Sequence, residues 1–273
     1  MNPDKSWQAR LELAFRHDGA RTVLAERRHV GPLVVQRPFY PEGGICHVYL
    51  VHPPGGIVGG DRLAVEVAVE RAAHALLTTP AATRFYRAGP HPRATLVQQL
   101  TVRDGSLEWL PQETIVFDGA RARTVTRVEL MGEARFLGWE IACLGRPAND
   151  ETFAAGELEQ DFLLYRNGAP LLLDRLRLNG GGAPLAAPWG LAGFAAMGTL
   201  LMYPARALDL QPLRQLQGAG AARCAMSVVD DVLVCRALAP EGEALKKLFN
   251  ALWLRLHEGL LGRPAVAPRI WAT

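Results

Sequence analysis

The sequence predicts a mainly β protein built from many short strands, and three observations carry that expectation. Apolar and polar residues alternate along most of the chain, turn dipeptides recur between those runs, and helical spacing dominates only near the C-terminus. A period of two lines one face of a strand with apolar side chains and leaves the other polar. Ala9, Leu11, Leu13 and Phe15 fall on one face against Arg10 and Glu12. Leu63, Val65, Val67 and Val69 repeat the pattern against Glu66 and Glu70. Further strands are expected at 21–28, 32–37, 46–52, 74–79, 94–103, 106–110, 114–117, 123–131, 134–143, 157–166, 170–178, 196–202, 223–229 and 231–237. Asp18-Gly19, Asp104-Gly105, Asp118-Gly119 and Asn167-Gly168 separate them, since Gly, Asn and Asp tolerate the backbone that tight turns need.

About two helices are expected. Over 241–262, Leu245, Leu248, Phe249, Leu252, Trp253, Leu256 and Leu260 recur at helical spacing. Glu241 and Glu243 open that run and Gly262 with Pro264 ends it, which matches helix-dipole and termination chemistry. A shorter helix is predicted around 205–216. No short repeat and no long linker divides the chain, so residues 1–273 are read as a single domain, with Gly180-Gly181-Gly182 as its flexible point. β folds of this length occur as single domains and bury a core without staples.

Composition excludes several function classes. Hydrophobic residues make up 49% and charged residues 21%, and the net charge of +3 is spread along the chain. No basic run reads as a nucleic-acid or membrane-surface patch. No apolar stretch approaches the roughly 18 residues of a membrane span. The start lacks a secretion signal, and Cys46, Cys143, Cys224 and Cys235 are too scattered for a secreted disulfide framework. A cytoplasmic location is expected.

The sequence from His52 to Asp61 is glycine-rich but has neither a Lys-Ser/Thr pair nor a G-x-G-x-x-G pattern, so it is not a nucleotide loop. Catalytic signals are weak: Ser6, Ser106 and Ser227 lie outside any nucleophile elbow, and adjacent Cys46 and His47 would point to opposite faces of a strand. No C-x-x-C or H-E-x-x-H occurs, and His74, His91 and His257 are far apart. An enzyme is not expected.

The runs PPGGIVGGD (Pro53 to Asp61), TTPAATRFYR (Thr78 to Arg87), WLPQETIVFDGA (Trp109 to Ala120), CLGRP (Cys143 to Pro147) and the final PRIWAT together resemble the urease accessory protein UreD family, called UreH in some organisms. They stand in the family's order and extend over essentially the whole chain. The resemblance implies strands wound in a helical topology with two helices. It also implies a non-catalytic urease maturation factor that binds UreF, reaches the GTPase UreG through UreF, and docks on the urease apoprotein. Nickel would be in transit through an internal water-filled tunnel, with no tightly bound cofactor. The alternative is a pure assembly scaffold that never touches nickel.

A passage that must release its cation wants weak, successive oxygen ligands rather than one deep cage. The candidates, in order, are Asp61 and Glu113, then Glu140 and Glu66; Asp118 fits an ordinary turn. Each has a plainer reading: Asp61 bonded to nearby backbone N–H groups, Glu66 on a solvated strand face. Glu113 and Glu140 sit in apolar surroundings, where burial would demand partners or water. Arg84 and Tyr86 are expected to support the tunnel or an interface, as are Arg269 and Trp271 of a docked C-terminal tail.

Overall fold

The computed structural model describes residues 6–206, 208–218 and 221–272. The strands are β1 (Gln8–His17), β2 (Thr22–Val30), β3 (Val34–Val35), β4 (Cys46–Val51), β5 (Arg62–Val69), β6 (His74–Thr78), β7 (Thr83–Phe85), β8 (Ala94–Arg103), β9 (Ser106–Trp109) and β10 (Thr114–Val116). There follow β11 (Arg121–Met131), β12 (Arg135–Leu144), β13 (Glu157–Arg166), β14 (Ala169–Asn179), α1 (Ala183–Ala186), β15 (Ala196–Tyr203), α2 (Gln211–Arg214), β16 (Arg223–Val229), β17 (Val232–Ala239) and α3 (Gly242–Leu261).

The strands form two main sheets, one ordered β14-β13-β11-β8-β5-β1-β2 and the other β16-β17-β15-β12-β9-β6-β4-β3. Between β4 and β13 the chain passes repeatedly from one sheet to the other. Each new strand lies parallel beside its counterpart from the previous turn. Leu63 pairs with Leu96, Leu96 with Thr124, and Thr124 with Gln160 across successive turns. A short third ladder runs beside them, where Ile57 bridges Phe85, β7 pairs with β10, and β10 pairs with the end of β12. The architecture is therefore mainly β and helically wound, as expected.

Alternation decides which side chains enter the winding. Leu63, Val65, Val67 and Val69 are buried between the sheets, while Glu66 faces out. β12 departs from this rule. Its residues from Phe136 to Leu144 are all buried, because the winding covers one face and α3 the other. A near-continuous apolar run is what a strand covered on both faces requires.

α3 presses Leu245, Leu248, Phe249, Leu252, Trp253 and Leu256 into a second core with Leu76, Leu110, Leu137 and Trp139. Gly262 ends it in the left-handed region at φ 73°, its N–H bonded to the Glu258 carbonyl at 2.8 Å. No helix among the described residues is long and apolar enough to cross a membrane.

One expectation needs correction. The helix predicted over 205–216 shrinks to α2 and a following 3-10 turn at Gln215–Gly218. Just before it, Asp209 Oδ1 accepts the Gln211 N–H at 2.9 Å. The single-turn α1 and the three-residue β7 escaped the sequence reading, neither being long enough to show a periodic signal.

Turns of the winding touch closely enough to demand glycine. Gly156 has φ 105°, and a Cβ there would overlap the Ala120 carbonyl. Gly156→Ala is expected to lower stability by about 1–3 kcal/mol, the usual range for enforced backbone strain. Gly19→Ala is the control in thermal unfolding, since Gly19 has a similar φ of 100° but open space around it. Equal losses at both sites would mean that backbone conformation alone, not the contact between turns, sets the cost.

Candidate functional site

A polar seam crosses the otherwise apolar interior. Gln98 on β8, Thr126 on β11 and Gln160 on β13 point inward from one sheet, and Glu140 on β12 points toward them from the other. Thr126 Oγ1 lies 2.5 Å from Gln98 Oε1 and also contacts Glu140 Oε1. Gln160 Nε2 donates to Glu140 Oε2 at 2.6 Å. Thr126 has one hydroxyl proton, so serving both oxygens requires a proton on Glu140 or a Gln98 amide turned nitrogen-first. Burial raises the Glu140 carboxyl. The Thr126 and Gln160 hydrogen bonds pull it back, and Asp174 and Asp161 raise it further, leaving it at about 7. Such a carboxyl exchanges its proton near neutrality.

The seam has a cavity at each end. Glu140 and Gln160 line one of about 480 Å³, with Asp174, Thr199 and Arg236 on its wall. Thr199 Oγ1 donates to Asp174 Oδ2 at 2.9 Å, and Arg236 holds Asp174 Oδ1 at 3.0 Å. Gln98 lines another cavity of about 260 Å³, together with His52, Gly55, Gly56 and Arg84. His52 Nε2 is buried there without a partner. Burial lowers the His52 pKa against an opposing pull from Asp61, which favours the neutral imidazole that can ligate a cation. The buried Thr124 hydroxyl, two residues before Thr126, is also unpartnered. Among the described residues, no three His, Cys, Asp or Glu side chains converge as a metal cage. The arrangement offers weak successive oxygens instead.

Of the carboxylates singled out in the sequence, only Glu140 lines this interior. Asp61 is 1% exposed, but its two oxygens accept the backbone N–H groups of Trp7 at 2.8 Å and Val58 at 3.0 Å. That is the plain structural reading, and it ties the N-terminal strand to the glycine-rich loop. Glu66 lies outside, paired with Arg10 at 2.9 Å and 40% exposed at its side chain. Glu113 is half-buried beside Cys143 and the start of α3, on the other side of the β12 sheet from Glu140. Of Asp61, Glu113, Glu140 and Glu66, the cavity walls thus include Glu140. Asp118 does more than end a turn, since its Oδ1 accepts the N–H groups of Ala154 and Ala155 at 2.9 and 2.8 Å.

Arg84 lines the smaller cavity and reaches the Gly55 carbonyl at 3.4 Å. Tyr86 lies against Gly56, where a Cβ would overlap its ring, and meets Phe117 edge-on at 4.8 Å. The Gly56 position is therefore set by an aromatic neighbour rather than by a phosphate. Trp271 is docked on this chain's own body: Nε1 donates to Thr78 Oγ1 at 2.9 Å, and its ring packs against Trp139 and Trp253. Arg269 stays exposed.

Gln98, Thr126, Gln160 and Asp174 escaped the sequence reading. Each is one polar residue in an alternating strand or at its end, where outward placement is the default. Only their coincidence across turns marks them.

The family model described as UreD urease accessory protein matches residues 8–272. The urease accessory protein UreD of Azoarcus sp. (strain BH72) is 47% identical over 272 residues, covering 98% of this chain and 94% of that protein. The urease accessory protein UreD of Alcanivorax borkumensis is 44% identical over 276 residues, covering 98% and 93%. That of Klebsiella aerogenes is 42% identical over 272 residues, covering 98% of each.

Proposed function

The chain belongs to the UreD urease accessory protein family, and on that premise we propose that it matures urease by conducting nickel to the nascent active site. It acts in the cytoplasm as an accessory protein, not as an enzyme. It docks on the urease apoprotein, binds UreF, and receives nickel from the GTPase UreG held through UreF. The observation that supports conduction is the Gln98–Thr126–Glu140–Gln160 seam between two cavities. Nickel(II) accepts oxygen and imidazole ligands. A hydroxyl, amides and one exchangeable carboxyl hold it weakly enough to let it go, and the unpartnered His52 nitrogen adds a ligand on the smaller-cavity side.

The scaffold reading has its own support, because both oxygens of Glu140 are already bonded within the protein. The test is urease activity in nickel-supplied cells that carry the structural subunits and the other accessory proteins. Cells with the chain, without it, and with Gln98→Leu plus Thr126→Val are compared, with UreF and urease co-purification measured alongside. The double variant is expected to lose most of the chain-dependent activity while its complexes persist. Full activity in that variant would leave only the scaffold.

A further inference from the structure

A second buried polar cluster, unused by the seam, fastens the C-terminal helix. Glu108 on β9 is 1% exposed beneath α3. His74 Nε2 on β6 lies 2.8 Å from its Oε1, and Trp253 Nε1 on α3 donates to its Oε2 at 2.6 Å. His257 Nε2, also on α3, lies 3.4 Å from Oε1, within ion-pair reach but without hydrogen-bond geometry. Arg263, just past α3, closes the cluster. Its guanidinium reaches His74 Nδ1 at 3.1 Å, and its carbonyl lies 2.8 Å from His257 Nδ1.

These contacts place the protons. A guanidinium only donates, so His74 Nδ1 accepts and its Nε2–H donates to Glu108. A carbonyl only accepts, so His257 Nδ1 carries hydrogen. The other His257 nitrogen faces a carboxylate oxygen, where a bare lone pair would be repelled, so it carries hydrogen as well. His257 is thus an imidazolium paired with the Glu108 carboxylate.

The surrounding charges agree with that assignment. Glu42, itself paired with His47 at 2.7 Å, adds a second negative field at His257. Arg135 binds the Leu260 carbonyl at 3.1 Å, and Arg255 and Glu258 of α3 are exposed. Burial pushes the His257 pKa down, but the Glu108 carboxylate, helped by the Arg263 carbonyl, leaves it above the ordinary value. Burial likewise works against the Glu108 charge, but the two histidines hold its pKa well below the usual carboxylate range.

We propose that Glu108, His257 and His74 form a proton-operated latch, which holds α3 and the tail behind it at neutral pH and releases them as the medium turns alkaline. A group whose pKa is raised on folding stabilises fully below its unfolded value and loses that contribution as pH rises through the folded value. The latch therefore weakens from about pH 6.5 upward, the ordinary histidine value. Urea hydrolysis yields ammonia, so the enzyme being matured generates the opening stimulus. That consequence rests on the maturation reading; the latch does not.

Hydrogen exchange of α3 peptides in the full chain, from pH 6 to 9 and corrected for intrinsic rates, tests it. The opening constant is expected to rise above the ordinary histidine value, by at most the tenfold per pH unit that one proton allows, and level off past the folded one. Glu108→Gln should flatten that rise, and His74→Gln should keep it, because the rise is assigned to the imidazolium of His257. A flat wild-type profile overturns the latch without any variant, as does an undiminished slope in Glu108→Gln. Urease is absent from this assay, so its failure leaves the maturation reading untouched.

Discussion

Glu140→Leu is expected to cut chain-dependent urease activation about tenfold or more, the factor that follows if the lost carboxylate raises the passage barrier by about 1.4 kcal/mol. The residue sits where Thr126 and Gln160 converge, so a cation crossing the seam meets its oxygens on the way to Asp174. Leucine leaves an apolar plug and two polar groups without their partner, each costing about 1–3 kcal/mol. A misfolded product would confuse the result. Glu140→Gln is therefore the companion, since it keeps shape and hydrogen bonding and removes only the charge. Activation should fall in both variants while UreF and urease still co-purify. Wild-type activity in both would refute passage through this carboxyl.

The same pair has a pH signature. The Glu140 carboxyl stands at about 7 in the folded chain, above its ordinary value of about 4.3. Its raised pKa favours the folded state fully below the ordinary value, and that contribution, on the order of 4 kcal/mol, fades as pH rises through the folded value. Unfolding measured from pH 4 to 8 should show this decline in the wild type and lack it in Glu140→Gln. The upper end of this window overlaps the one assigned to His257, so the comparison with Glu140→Gln, not the pH range alone, separates the two titrations. An identical pH dependence in both proteins would show that folding does not raise the Glu140 pKa.

Much of the fold was legible because strand alternation is local. Leu63 to Val69 declares its inward face within eight residues, and α3 declares its stripe and its Gly262 stop. The winding was not legible from alternation, because successive turns share register but no repeated sequence: Leu63, Leu96, Thr124 and Gln160 occupy neighbouring pairing positions with unlike side chains. The site was legible only in part, for the same reason. Glu140 stood out as a carboxylate in an apolar run. Asp61 stood out equally, yet one of the backbone donors that satisfies it belongs to Trp7, 54 residues away. Asp174 reads as an ordinary strand polar residue until Arg236, 62 residues on, is seen to hold it.

The largest stability effect is expected at Trp253→Ala. The indole is fully buried under α3, touches the rings of His257 and Trp271, and donates to Glu108 at 2.6 Å. Emptying such a site costs about 3–5 kcal/mol. Depriving the buried carboxylate of a donor costs about 1–3 kcal/mol more, although the two losses share one contact and will not add in full. At about 2–4 °C per kcal/mol for a chain of this size, the midpoint should drop by roughly 10–20 °C. Trp253→Phe keeps most of the volume and loses the N–H, so it should pay only the hydrogen-bond part. If phenylalanine proves as damaging as alanine, the Glu108 bond rather than packing carries the helix. If both are mild, α3 is held by its leucines, and Trp253 serves chiefly to seat Trp271 and the tail.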